Sequence, residues 1–242
     1  VATPRFYSPS SLADAVQVEL EANAARHAAK VLRLRRGDQI VLFDGTGGEY
    51  EASVHAVERS DVLVDVGKFH PDDREPALNL CLAQGLASGD KMDTILQKAV
   101  ELGVTDFQPL STRKSVVRLT EERAERRLLH WRQVAIAACE QCGRNRIPTV
   151  HDVEDIGEWV TEEKNGARFI LAPNATTALA DLANKPEQVT LLVGPEGGFA
   201  EEELKAALDS GYMPVRLGPR ILRTETAGMA ALAAIQTLWG DF

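Results

Sequence analysis

The sequence predicts an α/β protein in two parts: a small antiparallel β-barrel, then a larger domain built on a mainly parallel sheet with helices on both faces. Three observations predict it. In the first 70 residues, valine-rich segments alternate in polarity around a glycine-rich turn. Beyond residue 76, short apolar runs alternate with stretches whose apolar residues recur at helical spacing. Between the two lies His70 to Pro76, HPDDREP, a polar segment with a proline at each side of its charges. The domains are accordingly 1–72 and 73–242.

In the first domain the strands are Gln39 to Phe43, Tyr50 to Val57 and Val62 to Val66, with Asp44-Gly45-Thr46-Gly47-Gly48 as a turn. Ala22 to Leu32 has a helical pattern that Arg36-Gly37-Asp38 ends. In the second domain strands are expected at Leu78 to Ala83, Asp106 to Leu110, Phe169 to Ala172, Val189 to Val193 and Val215 to Leu217. The helix Asp90 to Leu102 sets Met92, Ile95, Leu96, Ala99 and Val100 against Lys91, Thr94, Lys98 and Glu101, with Asp90 as its N-cap. Thr120 caps the next helix, to about Cys142; Glu121 and Glu122 suit the dipole of its first turn, Trp131, Val134, Ala135, Ala138 and Cys139 face inward, and Gly143 stops it. A shorter helix covers Ala200 to Asp209. The last, from about Glu225 to Trp239, is almost wholly apolar or small, so it is expected to pack both inside the domain and against a second subunit.

Composition narrows the class. Apolar residues at 44% and charged residues at 26% exclude wholesale disorder and fibrous repeats. No apolar run approaches the roughly 20 residues of a spanning helix, and VATPRFYSPS is no secretory leader, so the expected location is the cytoplasm, with no membrane partner. Cys81, Cys139 and Cys142 are an odd number for a disulfide framework and lack further metal ligands at zinc spacing; they read as small buried hydrophobes, with no metal expected. A net charge of −9 argues weakly against a nucleic-acid partner. Local clusters override that total: Arg26, His27, Lys30, Arg33, Arg35 and Arg36; Arg113, Lys114 and Arg118; Arg144 and Arg146; and Arg216, Arg220 and Arg223.

Two loops carry the candidate chemistry. In Leu191-Leu192-Val193-Gly194-Pro195-Glu196-Gly197-Gly198-Phe199 a buried strand breaks into a glycine-rich turn before a helix, and carboxyl ends of parallel strands are where open sheets bind ligands. It matches neither the phosphate loop nor the dinucleotide fingerprint. The second loop, Leu217-Gly218-Pro219-Arg220-Ile221-Leu222-Arg223-Thr224, leads into the final helix; Leu217, Ile221 and Leu222 could wall an adenine while main-chain groups bond its edge. The two loops, taken to leave neighbouring strands, bound one cleft.

LLVGPEGGF and LGPRILRTETA, with ACEQCGRNRIP (Ala138 to Pro148), DKMDTILQKAVELGV (Asp90 to Val104), RFY (Arg5 to Tyr7) and HAAKVLRLRRGD (His27 to Asp38), resemble the ribosomal RNA small subunit methyltransferase E family along nearly the whole chain. The resemblance implies a PUA-like barrel joined to a SPOUT domain with a C-terminal trefoil knot, and S-adenosylmethionine as cofactor. The implied reaction methylates N3 of a uridine in small-subunit (16S) ribosomal RNA, on the free RNA or the assembled subunit, by a homodimer formed through the C-terminal domain. The cofactor would be held by Leu171, Gly194, Glu196, Gly197, Gly198, Leu217, Gly218, Ile221, Leu222 and Thr224. RNA would meet Arg5, His27, Arg33, Arg35, Arg36, Lys91, Arg113, Arg220 and Arg223, with Phe6 and Tyr7 in the barrel core.

Uracil N3 carries a weakly acidic proton between two carbonyls, so methyl transfer needs that proton removed and the resulting charge stabilised. Glu196 is the candidate for orienting the base or assisting deprotonation, or else for holding its own loop. Arg144, with Glu140 as its expected partner, is the candidate for the developing negative charge or a phosphate. Two other classes stay open: a non-catalytic RNA-binding ribosome assembly module, and a nucleotide-binding small-molecule transferase, which would leave the basic barrel unexplained.

Overall fold

The computed structural model describes residues 3–59 and 61–242. The chain divides into two compact units, the first comprising residues 1–75 with 139–147 and the second residues 76–138 with 148–242. The polar segment does contain the first crossing between units, but Cys139–Ile147 belongs with the first unit. The first unit is therefore discontinuous in sequence.

The first unit is a five-stranded sheet of β1 (Arg5–Tyr7), β2 (Gln17–Glu19), β3 (Gln39–Phe43), β4 (Glu49–Glu58) and β5 (Asp61–His70), in the order β1-β3-β4-β5-β2. β4 and β5 run longer than their valine-rich centres and bulge between Tyr50 and Ala52 and between Val54 and Ala56, which bends the pair. β1 pairs in parallel with β3, so the sheet is not wholly antiparallel. Ile40, Leu42, Ala52, Val54, Val62 and Val64 turn to one face and pack with Phe6, Ala25 and Ala28. The helix α1 (Ala22–Arg26) continues into a wide π turn, His27–Val31, closed by the Leu32 N–H donating to the His27 carbonyl at 3.0 Å. It stops there, with Arg33 at φ 56°; Gly37 and Asp38 shape the later turn, where Asp38 accepts from the Arg35 N–H at 2.7 Å.

The second unit holds the parallel sheet: β6 (Asn79–Gly85), β7 (Asp106–Ser111), β8 (Thr149–Val150), β9 (Glu154–Asp155), β10 (Ala167–Leu171), β11 (Gln188–Val193) and β12 (Met213–Val215). Their order is β12-β10-β11-β6-β7-β8, with β9 also on β7, and every pairing is parallel. β11 is buried from Val189 onward, as a central strand covered on both faces must be. The helices are α2 (Lys91–Glu101), α3 (Glu121–Cys142), α4 (Ile156–Trp159), α5 (Glu201–Asp209) and α6 (Thr224–Trp239). α4 and α5 cover one face through Ile156, Trp159 and Ala207, while α2 and α6 pack together. Asp90 precedes α2 without a side-chain cap; its main-chain carbonyl accepts from the Thr94 N–H at 3.2 Å. Gly143, at φ 88°, ends α3. α6 buries Gly228, Ala231, Leu232 and Ile235 within the unit, and Leu238 is 40% exposed. Among the described residues no helix is long and apolar enough to cross a membrane. The three cysteines are free thiols, and burial pushes Cys81 and Cys139 up to about 12.

Candidate functional site

The carboxyl ends of β6, β10, β11 and β12 open on one side of the second unit, because parallel strands all end on the same edge. Gln84, fully buried at the end of β6, ties three of the segments there. Its Nε2 donates to the Gly85 carbonyl at 2.9 Å, to the Gly194 carbonyl at 3.3 Å and to the Thr224 Oγ1 at 2.9 Å. Thr224 Oγ1 in turn donates to the Gly194 carbonyl at 2.6 Å. The glycine loop after β11 and the first residue of α6 thus share one buried hydrogen-bonded group.

Between these segments lies a cavity of about 560 Å³. Residues 194–196, 198 and 199 form one wall and residues 215–218 and 220–225 the other. β10 lies between β11 and β12, so the two loops do not leave adjacent strands; Leu171, Ala172 and Pro173, at the end of β10, complete the lining. Gly198 has φ +67° and Gly218 φ +142°, and at both a Cβ would meet no protein atom within 4 Å, so it would stand in the cavity space. Among the described residues, the main-chain N–H groups of Leu217, Gly218, Arg220, Ile221 and Leu222 have no acceptor within the chain. Glu225 also lines the cavity, and its Oε2 is buried without a partner. The site therefore combines apolar walls with unused donors and one unused acceptor, a composition that suits a small amphipathic ligand.

Glu196 stands at the edge of this cavity, held by Lys91 and Ser88. Its Oε1 accepts from Ser88 N at 3.0 Å, Ser88 Oγ at 2.6 Å and Lys91 Nζ at 2.7 Å. Burial acts to raise its pKa, but the hydrogen bonds from Lys91 and Ser88 outweigh it and bring the carboxyl down to about 2. Such a carboxylate accepts a proton poorly at neutral pH, so the geometry gives Glu196 the loop-holding role rather than that of a base. On the far side of the loop, buried Glu203 accepts from Ala200 N at 2.7 Å and Arg113 N at 2.6 Å, which caps α5 and holds residues 112–115 beside it.

Every residue expected at the cofactor lines the cavity except Gly197, where a Cβ would lie 2.9 Å from Lys114 Cβ; that glycine serves a close packing contact. Lys91, Arg220 and Arg223, expected at RNA, line the cavity as well. Arg144 corrects the sequence reading. It is 4% exposed, its Nε donates to both carboxylate oxygens of Glu75 at 3.1 and 2.9 Å, and it does not line the cavity. Glu140, expected to pair with it, instead accepts from the Tyr7 N–H at 3.1 Å. Arg5 is also a correction: its side chain is 11% exposed, and its two terminal guanidinium nitrogens are engaged by Glu49, Asn145 and the Gly143 carbonyl. His27, Arg33, Arg35, Arg36 and Arg113 are exposed, His27 with its ring edge-on to Phe6 at 6.1 Å between centroids. Gln84, Ser88 and Glu225 escaped the sequence reading. Gln84 ends an otherwise apolar run, and a polar residue in a buried strand is the signal that could have found it.

The RNA methyltransferase domain family matches residues 74–236, and the RNA methyltransferase PUA domain family residues 20–67. A ribosomal RNA small subunit methyltransferase E from Buchnera aphidicola is 32% identical over 98% of this chain and 97% of its own length. The enzyme of that name from Bacillus subtilis is 32% identical over 86% of this chain and 85% of its own. Among solved structures, a methyltransferase from Legionella pneumophila with bound SAM superposes with a TM-score of 0.96 at 37% identity, each chain covered in full. A ribosomal RNA small subunit methyltransferase E from Neisseria gonorrhoeae, bound to S-adenosyl methionine, gives 0.91 at 41% identity, again over both whole chains. The paired domains and these full-length relatives establish that the chain belongs to the ribosomal RNA small subunit methyltransferase E family.

Proposed function

We propose that this protein transfers a methyl group from S-adenosylmethionine to N3 of a uridine in small-subunit ribosomal RNA. The observation that carries the reading is the cavity between the two loops, walled by main chain and aliphatic side chains, in a fold whose relatives hold this cofactor. Its residues fit the group. The unpaired N–H groups of the 217–222 loop suit the acceptor edge of an adenine, Leu217 and Leu222 its faces, and the unpartnered Glu225 oxygen a hydroxyl or ammonium donor. When bound, the cofactor supplies an electrophilic methyl group on sulfur.

The chain's own residues position the rest. Gln84 and Thr224 fix the walls, and Glu196 fixes Lys91 and the 88–91 turn at the rim. Arg220 and Arg223 bring positive charge to the same rim, suited to phosphate or to the negative charge that develops as N3 loses its proton. Glu225 is a carboxylate with a buried, unpartnered oxygen in the cavity. The knotted C-terminal topology and a homodimer built on α6 belong to the same proposal. The partly exposed Leu238 supports the second. A ribosomal substrate places the reaction in the cytoplasm.

Calorimetric titration tests the cofactor directly. Micromolar affinity for S-adenosylmethionine with none for ATP is expected; ATP binding instead would point to a nucleotide-dependent transferase, and binding of neither to an RNA-binding assembly module. Mass mapping of small-subunit RNA from cells lacking the protein then tests the uridine and the N3 position.

A further inference from the structure

The second unit carries a groove outside the cofactor cavity, about 560 Å³ in volume, between residues 117–119 and the first half of α3. One wall is a stripe of that helix: Arg123, Arg126, Arg127 and His130 stand at i, i+3, i+4 and i+7, which places all four side chains on one face. Arg118 comes from the opposite wall. Its guanidinium is pinned by donation to the Thr112 carbonyl at 2.9 Å and the Arg113 carbonyl at 2.8 Å, so that charge has a fixed position. Val117 and Leu119 supply the apolar part of the lining.

The protein pairs two of the four groups on the stripe and leaves the other two without an acidic partner among the described residues. Arg126 pairs with Glu122, and His130 Nε2 lies 2.6 Å from Asp93 Oδ2. Arg123 and Arg127 are exposed and, among the described residues, form no ion pair. Apart from Glu122, the neighbouring acidic residues Glu121 and Glu125 fall at spacings that put them off the stripe. Like charges at i, i+3 and i+4 destabilise a helix, and this cluster sits on a chain of net charge −9. An anion in the groove removes that repulsion.

We propose that this groove is a contact for the phosphodiester backbone of the substrate RNA, separate from the basic segment of the first unit. The inference rests on the reading that the protein acts on RNA. Guanidinium groups suit it because each presents several donors in a plane to phosphate oxygens. The stripe from Arg123 to His130 extends about 10 Å along the helix, enough to follow more than one phosphate of a strand. Contacts to phosphate carry no sequence information directly, so the proposed contribution is to affinity and orientation.

The test compares the full-length protein with its R123A/R127A and R123K/R127K variants, using a small-subunit ribosomal RNA transcript and measuring affinity across a salt series. Both residues are exposed and form no ion pair among the described residues, so the unfolding temperature should not fall and calorimetric affinity for S-adenosylmethionine should match the unmodified protein. The alanine pair should bind RNA more weakly, with the slope of log affinity against log salt shallower by about 1.4 to 1.8, two contacts at roughly 0.7 to 0.9 each. The lysine pair, which keeps the charge, should restore most of the slope. Unmodified protein that binds RNA, with an alanine pair whose slope runs parallel to it, overturns this inference alone. Failure of the unmodified protein to bind the transcript overturns the RNA reading as well.

Discussion

Replacing Gly198 by alanine separates two quantities that a single glycine controls. At φ +67° the left-handed conformation costs an L-residue roughly 1–2 kcal/mol. For a chain of this size, that lowers the unfolding temperature by about 2–8 °C, at about 2–4 °C per kcal/mol. Space adds nothing to this cost, since the new Cβ meets no protein atom within 4 Å. The Cβ does stand in the cavity, so a ligand lying against the main chain must shift, and crowding of that kind costs typically 1–3 kcal/mol. Affinity for S-adenosylmethionine should therefore fall about 5- to 150-fold. Gly37 is the control: it has φ +90°, open space around its Cβ and a place in the other unit. Gly37→Ala should lose comparable stability and no affinity. Thermal unfolding and calorimetry on both variants decide the matter. Unchanged affinity in Gly198→Ala, or equal losses in the two variants, would refute the claim that the ligand lies on this loop.

Three further outcomes follow from the geometry. Arg144→Ala leaves the partly buried Glu75 with only the Arg146 N–H at 3.3 Å, so stability should fall by up to about 3–5 kcal/mol, the cost of breaking a fully buried pair, while cofactor affinity measured well below the transition stays put; an unchanged unfolding temperature would return Arg144 to the list of chemical candidates. Glu196 has a folded pKa of about 2, below its usual 4.5, so its contribution to stability is present above pH 4.5 and is lost as pH falls toward 2. Single-turnover rates of the natural protein and Glu196→Gln should accordingly follow the same pH profile between roughly pH 5 and 9, and an inflection lost in the variant would show that Glu196 titrates during catalysis. Replacing the exposed Arg33, Arg35 and Arg36 together by alanine should shallow the salt dependence of RNA binding by up to about 2 to 3, at roughly 0.7 to 0.9 per phosphate contact; a parallel slope places the RNA elsewhere.

Much of the fold was legible because its signals are local. Alternation in Gln39–Phe43 and the helical period of Lys91–Glu101 report which side of each segment is buried, and the structure starts and stops those elements within a residue or so of expectation. β1 and β2 were not legible, since three residues contain no period to read. The β12 strand ends at Val215, two residues earlier than expected, because Arg216 turns to bridge Ala178 and releases Leu217 into the loop. Cys139–Ile147 joins the first unit through long-range contacts that leave no mark on spacing. The candidate site shows the same division. Its glycines and aliphatic walls were visible as departures from a regular strand and helix. The roles of Arg144 and Arg5 were not, because a sequence shows that an arginine is present but not which carboxylate reaches it first.

The shared amide of Gln84 makes the cavity unevenly stiff. Where the two walls meet, at Gly194 and Thr224, each is fastened to the same sealed donor, so displacing one wall there strains the other at once. At their outer tips, Gly198 is held only within its own loop, its N–H donating to the Pro195 carbonyl at 2.9 Å, and the 84%-exposed Ile221 has no acceptor for its N–H among the described residues. A ligand entering this cavity meets a rigid base and compliant lips. Accommodation to different ligands is thereby confined to the lips, and amide exchange should slow on binding at residue 221 far more than at 194 and 224.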